Sequence, residues 1–246
     1  MNAEHAADRS RAGLDGRSGG FAGVAVRATT RIVGTLVLLT AAVVLGGCAT
    51  SRSEIKVAAP ASVASPSAAA RPVVLRSIKD ERVFEQAPRV ASIPSLGFEG
   101  AARATDEVKA RAIGRKRNTF GQALGDILLE GGQTVTGLVR DSLTAAFQQA
   151  GYRVVGEAAA GAAPLVVDVR IKQFWAWFQP GFWAITLSAN IETDIDIAGG
   201  GAPVTISVQA QDSRQIATDS AWLEIVEKAL AEYRTRAATR LGSPPF

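Results

Sequence analysis

The chain has 246 residues, a net charge of +4, one histidine and one cysteine. With only His5 and Cys48 of their kinds, Ser-His-Asp and Cys-His catalysis, imidazole metal sites and intrachain disulfides are excluded. Residues 1–47 hold five Arg and three acidic side chains, so the remainder carries 22 basic against 20 acidic groups, too even a balance to suggest nucleic acid.

Residues 32–45 form an uncharged apolar run behind Arg27 and Arg31. A bilayer span needs ~20 apolar residues, so this run is too short to stay in a membrane. It fits the apolar core of a secretory signal peptide over residues 1–47, the alternative being a short buried helix. The region before Arg31 is long for such a peptide, so translation from a start nearer residue 26 is a further expectation. Leu45-Gly46-Gly47-Cys48-Ala49 comes next. It resembles the lipobox of bacterial lipoproteins: an aliphatic residue, two small residues, then the cysteine that is acylated and becomes the new N-terminus. The resemblance implies a membrane anchor of palmitate-like chains on Cys48, stable once two or more chains are attached. Ala49 stands where an inner-membrane retention signal would resemble Asp, which implies the outer membrane, periplasmic face.

Residues 48–71 are rich in Ala, Ser, Pro and Val, a composition that buries too little apolar surface to order itself and reads as a flexible tether. Val73–Ile78 is a first strand. One domain is expected over residues 72–242, with an irregular insert at about 83–132. Within that insert a helical turn is expected at 105–113 and a short strand at Ile127–Glu130. Lys109, Arg111, Arg115, Lys116 and Arg117 form a basic cluster, read as a solvated loop or as a contact for anionic lipid. Asp80 and Arg82 suggest a salt bridge that ties the insert down.

Thr134 can cap a helix with apolar positions Val135, Leu138, Val139, Leu143, Ala146 and Phe147, and Gly151 suits a left-handed exit. A short strand at Tyr152–Val155 is followed by alternating runs at Leu165–Ile171, Phe182–Ile197 and Val204–Ala210. A second amphipathic helix starts near Asp219, with Trp222, Ile225, Val226, Ala229, Leu230 and Tyr233 on one stripe. These elements predict an α+β two-layer sandwich: a mostly antiparallel sheet of four to five strands with two amphipathic helices on one face.

Six aromatics gather where the two long strands meet: Phe174, Trp175, Trp177, Phe178, Phe182 and Trp183. If Gln179-Pro180-Gly181 forms a three-residue loop with Gly181 left-handed, odd residues pair with odd ones across the ladder. Trp175, Trp177 and Trp183 then face the core, leaving Phe174, Phe178 and Phe182 as candidate contacts for a partner or ligand. A five-residue loop is the alternative, and the insert could also cover the Phe side.

The lipobox, the strand followed by Asp80-Glu81-Arg82, the helix ending Ala150-Gly151-Tyr152-Arg153-Val154, the long hairpin and the closing strand–helix pair resemble the YajG family of bacterial lipoproteins. The order of elements is more distantly similar to the LptE-like fold of accessory lipoproteins in envelope transport. Together these features predict a non-enzymatic outer-membrane lipoprotein, an accessory or assembly factor of a cell-envelope complex such as a transport or flagellar assembly. It would hold the membrane through Cys48 and one unidentified envelope protein, without a cofactor or metal. The alternative is a periplasmic carrier or sensor of a small apolar or glycan ligand, using the same aromatics with Arg170 and Glu192. A carboxylate hydrolase built on Asp168, Glu192, Asp194 and Asp196 would require one raised pKa.

Overall fold

The computed structural model describes residues 52–61, 67, 69–97, 100–118, 122–159, 161 and 163–243. The signal segment with Leu45, Gly46, Gly47 and Cys48 lies outside the described residues. Along the chain run β1 (Ser53–Ile55), β2 (Pro72–Asp80), α1 (Asp106–Arg111), β3 (Ala112–Arg117), β4 (Ala123–Leu129), α2 (Val135–Gln149), β5 (Arg153–Val154), β6 (Leu165–Pro180), β7 (Ile185–Ile197), β8 (Val204–Arg214) and α3 (Asp219–Leu241).

Local chemistry places both long helices. The Thr134 hydroxyl accepts from the Gly137 amide at 3.1 Å, and Thr218 accepts from Ala221 at 3.2 Å, each satisfying one of the amides that a helix start leaves free. Gly151, at φ 90°, ends α2 in the left-handed region that a side chain disfavours. The apolar stripes of α2 and α3 are buried together against one face of the sheet, around Phe147, Trp222 and Tyr233.

That sheet departs from expectation. Among the described residues there are three α-helices and eight strands in one mixed sheet, in place of a mostly antiparallel one with four to five strands and two helices. β6 pairs antiparallel with β7, and β7 with β8. The other edge of β6 is shared. β2 lies parallel along its first half, with β5 beyond, and β3 lies parallel along its second half, followed by β4 and β1. The β2–β6 pair is parallel because the chain between them crosses over through α2.

Two strands come from segments that composition made unremarkable. β1 falls within the stretch read as a tether: Ser53–Ile55 pairs with Ile127–Leu129, and Ile55 and Val57 are buried in the main core. The Gln133 side chain fixes Val57 by accepting from its amide at 3.1 Å and donating to its carbonyl at 2.8 Å. β3 carries the second half of the basic cluster. Arg115 and Arg117 point under the insert, where Ser95 Oγ and the Pro88 carbonyl accept their hydrogen bonds at 2.9–3.1 Å. Lys116 turns the opposite way to Ser53 and Asp219, and Arg111 reaches Glu54 and the Leu129 carbonyl. Arg111, Arg115, Lys116 and Arg117 are thus dispersed among partners. They do not form a basic surface.

The most consequential feature is one residue long. Ile171 pairs with Thr193, but Gln173 pairs with Glu192, so Lys172 is bulged out of the ladder. Strand parity inverts across the bulge. Val167, Val169 and Ile171 face the helices before it; Phe174 and Ala176 face them after it, with Phe178 packed alongside. Trp175 and Trp177 therefore emerge on the second face. There they form a smaller core with Leu96, Ala112 and Leu128, covered by Phe84, Ala91, Ala104 and Val108. The first part of the insert, from Phe84 to Val108, thus adds a layer on the second face, while its second part supplies β3 and β4 to the sheet. Trp175 Nε1 donates to the Ala91 carbonyl at 3.2 Å and stacks edge-on with Phe84 at 6.0 Å.

Candidate contact site at the hairpin tip

β6 and β7 stay paired up to Pro180 and Ile185, so the loop is the four residues Gly181-Phe182-Trp183-Ala184. Neither the three-residue nor the five-residue loop occurs. Gly181 is not among the left-handed glycines; it is required because a Cβ would lie 2.4 Å from the Ala184 carbonyl oxygen. This tight closure leaves no room for the next two side chains to fold back. Phe182 is 89% exposed and Trp183 83% exposed, stacked only on each other, edge to face, with centroids 4.8 Å apart.

The three candidate phenylalanines separate accordingly. Phe174 is buried in the helix-side core, Phe178 is half-buried against it, and only Phe182 is free. Trp183, expected in the core, joins Phe182 outside. The bulge explains the inward turn of Phe174 and Phe178, while Trp183 is outside because it lies in the loop beyond the last ladder pair, Pro180–Ile185. The sequence signal of the bulge was present: Lys172-Gln173 breaks the alternation with two consecutive polar residues, and both parities are apolar from Phe174 to Phe178. Ile216, 71% exposed, follows the end of β8, which pairs with β7 beside the tip.

Asp80 and Arg82 lie at a different place, the gap on the β6 edge between the end of β2 and the start of β3. Arg82 Nε and one terminal nitrogen grip the Asp80 carboxylate at 2.8 and 2.7 Å. The remaining donors reach the carbonyls of Ala112 at 2.6 Å, Phe174 at 3.1 Å and Lys109 at 2.7 Å. All five guanidinium N–H groups are used. The fully buried side chain stands in for the strand that is missing there, and it also lies over the Phe84 ring at 5.1 Å.

On the polar face, the four carboxylates considered for hydrolysis lie along β6 and β7. Asp168 accepts from Arg76 Nε at 3.1 Å and Ser77 Oγ at 2.6 Å, and these bonds hold its pKa down to about 2, the reverse of what a general acid needs. Arg170 bridges Asp196 at 3.0 Å and Asp194 at 3.8 Å, and Thr205 donates to Asp194 at 2.7 Å. Arg170 lies ten residues back along β6 from Pro180, roughly 33 Å at strand rise, and Glu192 lies opposite Gln173. These two side chains do not converge with the exposed aromatics. A cleft of about 460 Å³ lies at the opposite end of the sheet, lined by Arg71, Leu165, Arg240 and the turn between β7 and β8.

Among the described residues no helix is long and apolar enough to cross a membrane. No protein-family model and no curated protein matches the chain. Solved structures with some likeness include an uncharacterized protein (9% identity, TM-score 0.42, covering 78% of this chain and 98% of its own). A Xanthomonas campestris protein of the DUF330 family shares 12% identity at TM-score 0.42, over 76% of this chain and 93% of its own. A lipoprotein described as putative, from Caulobacter crescentus CB15, shares 13% identity at TM-score 0.26, over 44% of this chain and 83% of its own. At these values no conclusion about function is drawn from them.

Proposed function

We propose that the protein is a lipid-anchored accessory factor of the bacterial cell envelope, held through Cys48 and acting by contact, without catalysis. The observation that supports this reading is the pair Phe182 and Trp183. Two adjacent aromatics left in water at the end of a long rigid hairpin cost solvation and contribute nothing to the core, which is expected of a contact surface. The lipobox-like Leu45-Gly46-Gly47-Cys48 supplies the anchor, and Ala49 directs it to the outer membrane. A photoreactive residue at position 183 of the acylated protein should form adducts in intact envelopes, while one at Ala202 in the opposite turn should not. Cys48→Ser should leave the membrane fraction. Equal labelling at both positions, or unchanged fractionation of Cys48→Ser, removes the proposal.

A further inference from the structure

Registers across the sheet show at which end of the domain β1 begins. Ser53 is level with Ile127, Ile127 with Gly114, and Gly114 with Ala176, so these four residues form one row from β1 to β6. β1 runs parallel to β4, antiparallel to β3 and hence antiparallel to β6. The start of β1, where the chain arrives from Cys48, is therefore at the end of the sheet where β6 finishes. Pro180 lies four residues beyond that row, about 13 Å, and three strand spacings to the side, about 14 Å. Four residue steps separate Cys48 from Arg52, at most about 14 Å of chain. Because Arg52 is held to Asp126 at 3.4 Å and Ile55 and Val57 are buried, that short span is all the slack available.

An acylated Cys48 would thus bring the bilayer surface within one loop's length of the same end of the molecule. That end carries three of the five large hydrophobics exposed among the described residues: Phe182, Trp183 and Ile216. We propose that the tip between β6 and β7 is a second membrane foothold. Phe182 and Trp183, with Ile216 beside them, enter the headgroup layer of the bilayer that holds Cys48. This rests on the anchored reading above and names its contact as lipid. Aromatic rings suit that layer, being apolar in body and tolerant of partial hydration. At this end Lys116 is engaged with Asp219 at 3.2 Å, Arg214 with Asp212 at 2.7 Å and Glu224 at 2.5 Å, and Arg115 and Arg117 with Ser95 Oγ and the Pro88 carbonyl. The foothold is therefore apolar, and its strength should depend little on anionic lipid or salt.

The test uses the full-length acylated protein, whose Cys48 sulfur is blocked, so that F182C provides a single thiol for an environment-sensitive fluorophore. W183C repeats the measurement, and A202C in the turn between β7 and β8 is the control. In vesicles of zwitterionic phospholipid, the label at 182 should shift to the blue. Lipid-borne nitroxides should quench it severalfold more strongly than the label at 202, equally with anionic lipid added and at high salt. Labels at 182 and 183 that stay as water-exposed as the one at 202, on acylated vesicle-bound protein, overturn the foothold and leave the anchor standing. A label protected in native envelopes but not in pure lipid assigns the tip to a protein partner and also overturns it. An intact mass without acyl groups on Cys48 overturns the anchored reading itself.

Discussion

Arg82 shows how much one side chain can hold together. Its guanidinium joins β2, α1, β3 and β6 at a place where the β6 backbone would otherwise have an unpaired carbonyl. Arg82→Ala leaves buried acceptors without donors and should cost about 3 kcal/mol in urea denaturation. Lys has three donors on a flexible stem and cannot supply a planar fork of five, so Arg82→Lys should recover little of that. A loss below about 0.5 kcal/mol for both would show that the joint closes without it. Asp168 makes a pH prediction. Its folded-state pKa of about 2 lies below the ~3.9 of an unfolded Asp, so its bonds to Arg76 and Ser77 stabilise the fold above about pH 4. That contribution is lost as pH falls from about 4 to about 2. In thermal melts over this range Asp168→Asn should show a shallower decline than the wild-type chain; parallel curves would mean that other carboxylates carry the acid sensitivity.

At the scale of elements, pairing partners decided what sequence could not. α2 was legible because Thr134, a 3.6-residue apolar stripe and Gly151 follow one another along the chain, and α3 because its stripe from Trp222 to Tyr233 does. β3 was not, since half of Ala112–Arg117 is cationic, and its side chains find hydrogen-bond acceptors only in distant segments, at Ser95 and Ser53. The β8 edge needs a device against pairing with other chains. Here α3 provides it: Lys228 donates to the Gln211 carbonyl at 2.7 Å and Arg236 donates to that of Ser207. Replacing both by Ala should shift the protein toward larger species in light scattering at equal concentration. An unchanged size distribution would mean that the edge is protected by other means.

For the whole molecule, the difference between a tether and a strand changes how much freedom the chain before the domain has. A flexible leash over residues 48–71 would let it move freely some nanometres from the membrane; β1 instead ties Ser53–Ile55 into the sheet. Removing its buried side chains should therefore matter. Ile55→Ala is expected to cost about 2–4 kcal/mol, and Val57→Ala somewhat less, by chemical denaturation. A leash would give changes within about 0.5 kcal/mol, the range of exposed positions. The same strand leaves four residue steps of chain between Cys48 and Arg52.

The amino-acid sequence by itself determined what depends on neighbours along the chain: the apolar run and the lipobox-like cysteine, the caps and stripes of two helices, and the alternation of the long strands. Cys48 remains a statement of the sequence alone. Tertiary structure decided which face each aromatic takes. The bulge at Lys172 inverts parity, so Trp175 and Trp177, expected in the main core, lie in the smaller core on the second face, and Phe174 and Phe178, expected outside, pack toward the helices. A single unpaired residue flips every side chain after it, and the apolar composition on both sides of Phe174–Phe178 concealed which phase would win. The choice was made by distant residues: Leu96, Ala91 and Phe84, which cover Trp175 and Trp177, and the helices that cover Phe174.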